Sequence, residues 1–263
     1  MKQRIITGII AAAVFLPIVI LGKLPFLVLI YLLGTIGLYE LIRMKKLPLN
    51  SFASVISFVM LWLILIPESA NGVLAGAGYD KTQIIIGGVL VLLISTVLSK
   101  NRFMFDDAGF LVISVIYIGM GFYYLFETRD TNGLTYVFFA LFTIWATDSG
   151  AYFIGKSMGK RKLWPEISPN KTIGGFIGGI ISALVVAVLF FMFSTIDRTL
   201  IELLFMSILI AIFGQLGDLV QSAYKRHYGV KDSGKLLPGH GGILDRLDSL
   251  IFILPILHFL QIL

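Results

Sequence analysis

The sequence predicts an all-α fold, a polytopic integral membrane helical bundle of about nine transmembrane helices. Three observations carry that expectation. Of the 263 residues, 57% are hydrophobic and only 14% charged, where a soluble domain carries about a quarter charged residues. Mean hydropathy is +0.93, more apolar surface than one core can hide from water. The apolar runs are also continuous rather than alternating, which fits helices and not the strands of a β-barrel.

A helix crosses the hydrocarbon with about 20 apolar residues. Read with that window, the candidate spans are 5–22, 24–42, 53–67, 83–99, 109–126, 134–155, 174–193, 200–221 and 248–262, the third and ninth being short. The basic start Met1-Lys2-Gln3-Arg4 resembles a signal peptide, but no small-x-small cleavage site precedes Lys23 and a second apolar run follows at once, so the first span is read as retained. With the N-terminus inside, the inner segments hold 17 of the 21 Lys and Arg residues, and only Lys23, Lys81, Arg129 and Arg198 fall outside. That asymmetry predicts a cytoplasmic N-terminus, an outer C-terminus and an odd number of spans.

The chain divides into residues 1–130, nearly featureless apolar helix for packing and oligomerisation, and 131–263, which holds most polar groups and two long inner loops at 156–173 and 222–247. The glycine pairs at 87–88, 174–175 and 178–179 suit close helix packing in lipid. Phe122, Tyr123, Tyr124 and Phe126 read as an outer aromatic belt, and Trp164 as an inner one. His227 reads as an interfacial residue, His258 as an interfacial or packing residue, and Asp106-Asp107 as a solvated helix start. The chain has no cysteine, which excludes disulfides, zinc–thiolate and iron–sulfur sites and thiol catalysis. Its net charge of +6 reports orientation and anionic lipid rather than nucleic acid.

Carboxylates inside spans are costly and usually face a polar cavity. Asp148 lies in the sixth span and Asp218 near the inner end of the eighth. Asp218, Ser222 and Lys225, at i, i+4 and i+7, share one face if that helix persists. Beyond them run Arg226 and His227, then Lys231-Asp232-Ser233-Gly234-Lys235-Leu236-Leu237-Pro238-Gly239-His240-Gly241-Gly242 and Ile243-Leu244-Asp245-Arg246-Leu247-Asp248. Glycines around His240 would let backbone N–H groups approach an anion, and the helix that follows would add the positive end of its dipole. Lys225, Arg226, Lys231 and Lys235 supply charge for phosphates. Asp245 and Asp248, at i and i+3, would repel a phosphate unless a cation intervened. Oxygen ligands with phosphates suit Mg²⁺, with Asp218 as a third ligand. A basic loop bound to lipid headgroups is the plainer alternative.

The stretch SAYKRHYGVKDSGKLLPGHGGILDRLD (residues 222–248) resembles the signature of phosphatidate cytidylyltransferases, also called CDP-diacylglycerol synthases. Tyr224 stands where that family usually has an aliphatic residue or Phe. A second likeness is Ser168-Pro169-Asn170-Lys171-Thr172 after Asp148-Ser149-Gly150-Ala151-Tyr152. The family follows it with an aromatic residue and Glu-Gly, whereas Ile173-Gly174-Gly175 stands here, so no role of that Glu carries over. The resemblance implies transfer of CMP from CTP to phosphatidic acid, giving CDP-diacylglycerol and pyrophosphate. It implies Mg²⁺, with room for a second cation, held by Asp218, Asp245, Asp248 and Asp148. Lys225, Arg226, Lys231, Asp232 and Arg246 are then expected around the triphosphate or lipid phosphate. Ser222 would orient a ligand, and His240, Gly241 and Gly242 would shape the phosphate loop. Ser168, Asn170, Lys171 and Thr172 would close over the nucleotide or headgroup. A multi-pass protein of the cell membrane, homodimeric, with its site facing the cytoplasm, is implied as well. The competing readings are a CDP-alcohol phosphotransferase, whose Asp-Gly-x-x-Ala-Arg run is not found, a secondary transporter using Asp148 and Asp218, and a lipid-binding scaffold.

Overall fold

The computed structural model describes residues 2–70, 76 and 80–263. Among these, nine α-helices appear in chain order: α1 Lys2–Leu21, α2 Lys23–Met44, α3 Phe52–Ile64, α4 Lys81–Leu98, α5 Phe105–Glu127, α6 Leu134–Met158, α7 Ile173–Phe193, α8 Leu200–His227 and α9 Leu244–Phe259. Six of them, α2 and α4 to α8, are long and apolar enough to cross a membrane. The apolar part of α1 (Ile6–Leu21) and α3 are shorter. α9 has 16 residues and spans roughly 24 Å at 1.5 Å per residue. A small antiparallel hairpin, β1 Lys162–Trp164 and β2 Ser168–Thr172, pairs Lys162 with Thr172 and Trp164 with Ser168 in the loop before α7.

Local sequence explains where the helices begin. Asp80 and Gln83 form a capping box on α4, and Thr199 and Glu202 form one on α8, so side chains satisfy the first N–H groups of each. α8 runs through the basic run Lys225-Arg226-His227, which complements the negative end of its dipole. The helix is therefore longer than the span read from hydropathy, and the loop after it correspondingly shorter.

The chain forms two compact units: residues 1–127 with 232–244, and residues 128–231 with 245–263. The core of the first is built from Phe26, Ile30, Leu38 and Leu41 of α2, Leu61 and Ile64 of α3 and Leu111, Val115, Ile118 and Phe122 of α5, all buried. Phe26 stacks on Phe126 with ring centroids 5.9 Å apart. Phe122, Tyr123 and Phe126 thus lie inside this unit rather than in an interfacial belt. An aromatic side chain fills a core as well as it fills a headgroup layer, so composition did not separate the two. Asp107 pairs with Lys45 at 2.9 Å and accepts a bond from Met104 N–H, so the acidic pair starts α5, but Asp107 is buried and ion-paired rather than solvated. His258, read as an interfacial or packing residue, meets Thr128 Oγ1 at 2.9 Å in the second unit.

In the second unit α6 and α7 approach closely because glycines line the seam. A Cβ at Gly175 would fall 2.7 Å from the Ala151 carbonyl oxygen, and one at Gly178 would strike Ile154. Gly175→Ala is expected to destabilise the protein by about 1–3 kcal/mol, the usual cost of overpacking. Thermal unfolding in detergent checks this, and an unchanged midpoint would show that the seam has slack. The outward face of α7 carries Ile177, Ile181, Val185, Leu189 and Met192, all exposed, as expected of a surface solvated by acyl chains.

Candidate active site

The second unit gathers much of the chemistry expected from the sequence. Because α8 continues to His227, Asp218, Ser222 and Lys225 keep one face of the helix. The buried Ser222 hydroxyl donates to Asp218 Oδ1 at 3.4 Å. Lys225 Nζ meets Asp245 Oδ1 of α9 at 2.7 Å, with the side chains only 12% and 4% exposed. The hairpin delivers Lys171, whose amine pairs with Asp218 Oδ2 at 2.7 Å and donates to the Gln215 carbonyl at 3.3 Å. Asp248 follows Asp245 on α9, is buried, and accepts a bond from Ser249 N–H at 2.8 Å. Asp148, exposed on α6, completes the group.

The electrostatics are those of a crowded anionic site. Asp148, Asp218 and Asp248 lie close enough to repel one another, while Lys171 and Arg246 attract Asp148 and Lys225 attracts Asp248. The cluster so defined sets four carboxylates against three cationic side chains. Among the described residues no group of three acidic or imidazole side chains is gathered closely enough to hold a metal ion unaided. That arrangement still suits Mg²⁺, which commonly takes one or two carboxylates and completes its octahedron with substrate phosphates and water. The donors are hard carboxylate oxygens, the type such an ion takes.

The remaining expected residues are placed differently. Thr172 is buried and caps α7, accepting from Gly175 N–H at 3.0 Å. Ser168 is half-buried and Asn170 exposed on β2. Arg226 is exposed and reaches the Val230 carbonyl at 3.4 Å, and Lys231 is exposed.

Asp232, His240, Gly241 and Gly242 belong to the first unit. There the N–H groups of His240 and Gly241 donate to the Leu237 carbonyl at 2.9 and 3.1 Å, in a tight turn with Gly239 and Gly241 at positive φ. The N–H groups of Ile243 and Leu244 donate to the Glu40 carboxylate. These four N–H groups are therefore taken up within the chain. The first two close the turn, and the helix start already holds an internal anion. Asp232 is exposed. The His240 ring lies beside Gly8 of α1, where an added Cβ would sit 3.5 Å from it.

Two contacts escaped sequence reasoning. Lys171 was grouped with a closing segment, and nothing in its spacing revealed Asp218 as its partner. Glu40 is a carboxylate inside the second apolar run, so the rule that singled out Asp148 and Asp218 applies to it equally. The otherwise uniform hydropathy of the first 130 residues obscured it.

Comparison with known proteins finds likeness over the whole chain. The chain is 56% identical over 262 residues to the phosphatidate cytidylyltransferase of Bacillus subtilis, covering 99% of this chain and 97% of the other. It is 48% identical over 262 residues to the protein of the same name from Staphylococcus haemolyticus, covering 100% and 99%. For that of Staphylococcus aureus the identity is 47% over 264 residues, with 100% and 99% covered. The model of the cytidylyltransferase family matches residues 2–263, and the chain belongs to that family.

Proposed function

We propose that this protein transfers the cytidylyl group of CTP to phosphatidate, giving CDP-diacylglycerol and pyrophosphate, at the cytoplasmic face of the cell membrane. The observation that carries the reading is full-length likeness to proteins of that activity. The polar cluster on α6, α8, α9 and β2 supports it.

The chemistry asks little covalent work of the protein. An oxygen of the phosphatidate phosphate attacks the α-phosphorus of CTP in line. A new P–O bond forms, the bond to the β-phosphate oxygen breaks, and pyrophosphate leaves with the electron pair. The attacking phosphate is already an anion near neutral pH, so no protein base or nucleophile is required. Positioning and charge stabilisation carry the rate. Lys171, Lys225 and Arg246 supply fixed positive charge, with Arg226 and Lys231 exposed nearby in the chain to meet phosphates. Ser222 orients Asp218 through its hydroxyl. Asp218 and Asp248, with Asp148 beside them, are the groups that would hold Mg²⁺. When bound, that ion would neutralise charge on the triphosphate and on the departing pyrophosphate.

The test is release of pyrophosphate from CTP by the purified protein. It is expected only with phosphatidic acid present, and it should fall to background when EDTA removes divalent ions and return with added Mg²⁺. Solute movement across vesicles with no CDP-lipid formed would establish a transporter instead. Turnover undiminished in EDTA would remove the cation from the account while leaving the reaction.

A further inference from the structure

We infer that Glu40 is a positioning residue, whose carboxylate staples both ends of the 233–244 loop and seats the start of α9. No role for it follows from the reaction as described above, and nothing in the motif of residues 222–248 contains it.

The geometry is specific. Glu40 is 2% exposed, on α2 and within an apolar span, where an unsatisfied carboxylate is very costly. It is instead bonded by three donors. Ser233 Oγ donates to Oε2 at 2.7 Å, Ile243 N–H to Oε1 at 2.8 Å and Leu244 N–H to Oε2 at 3.1 Å. Ser233 lies at one end of the loop, and Ile243 and Leu244 lie at the other. One side chain thus ties together two points that the chain itself leaves far apart. The N–H groups at a helix start also favour an anion, because the dipole presents its positive end there. In this protein that anion is an internal carboxylate.

Two glycines record the close approach. A Cβ at Gly234 would fall on the Glu40 carboxylate, and one at Gly242 would fall on both Glu40 and the Ser233 hydroxyl. Small residues are therefore needed on either side of the staple. The consequence reaches the chemistry along one helix. α9 begins at Leu244, and its first two turns carry Asp245 and Asp248. Fixing the helix start limits how those carboxylates can shift or rotate. A site that works by positioning loses rate when its ligands move by an ångström.

The experiment uses the full-length protein in detergent, with Glu40→Gln, Glu40→Ala, Gly234→Ala and the Glu40→Ala/Gly234→Ala double variant. Two readouts are taken: limited trypsin cleavage at the exposed Lys231 and Lys235, and steady-state kinetics with CTP. Both single Glu40 variants are expected to be cut about tenfold faster or more, the size set by losing one hydrogen bond to a charged group. KM for CTP should rise and kcat fall together. Gly234→Ala should reproduce this by displacing the carboxylate. In the double variant it should add nothing, because the shortened side chain at position 40 leaves room for the new methyl. Wild-type cleavage rates and an unchanged KM would overturn the proposal, even if less folded protein were recovered, since that pattern marks a structural group only. Additive loss in the double variant would overturn it too. If Glu40→Ala does not fold, Glu40→Gln and Gly234→Ala still decide. The kinetic arm rests on the cytidylyl-transfer reading. The cleavage arm does not, so failure of one is distinguishable from failure of the other.

Discussion

Asp248→Asn is expected to lower CDP-diacylglycerol formation by about 100-fold or more, the loss typical when a group stabilising developing charge is removed, while the protein stays folded. The substitution keeps volume and shape at a buried position, so packing around α9 is preserved. It also relieves the repulsion from Asp148 and Asp218, so thermal stability in detergent should hold or rise. Loss of activity with retained stability is the signature of a ligand or charge used by the reaction. On the proposed reading, the removed charge is one of those that would hold a cation against the triphosphate. Near-normal turnover in the Asn variant would sink the assignment of Asp248, and a collapsed unfolding midpoint would show that its role is architectural.

The second large effect concerns Lys225 and Asp245. Their 2.7 Å pair is almost wholly buried, and removing one member strands the other charge. Lys225→Met is therefore expected to destabilise the protein by about 3–5 kcal/mol and to abolish turnover. The Lys225→Met/Asp245→Leu double variant removes both charges and restores apolar packing. It should recover most of the lost stability, because a buried pair is often no more stabilising than apolar residues of similar size. It should not recover activity. Unfolding midpoints and pyrophosphate release on the same preparations separate the two. An active double variant would mean that the pair serves the fold and not the reaction. A double variant as unstable as the single would mean that the pair itself contributes net stability.

How far the sequence reached can be judged from particular residues. Helix identity was readable because lipid imposes one dominant pattern, a long unbroken apolar run, and α2 and α4 to α8 follow it. The grouping of Asp218, Ser222 and Lys225 was readable because helical spacing fixes which side chains share a face, provided the helix continues, and α8 does. The glycine pairs at 174–175 and 178–179 were read as packing surfaces, and α6 packs on them.

Other features depended on contacts between distant segments. The burial of Phe122, Tyr123 and Phe126 was hidden because an aromatic run looks the same in a core and at an interface. The cap made by Thr172 was hidden because a capping threonine and a ligand-binding one are the same residue type. The anion cradle expected around His240 follows from glycine spacing alone, and local rules do not reveal that the N–H groups of His240 and Gly241 donate to Leu237 or those of Ile243 and Leu244 to Glu40.

By itself, the sequence determined the solvent, the helices, the family likeness and which residue types carry charge. Those properties follow from local composition and from periods of a few residues. The tertiary structure alone decided which charges meet: Lys171 with Asp218, Lys225 with Asp245, and Glu40 with a loop 193 residues further on. Pairing at such separations is set by how helices pack, because a buried charge must find its partner in space, and no short-range pattern records where that partner lies.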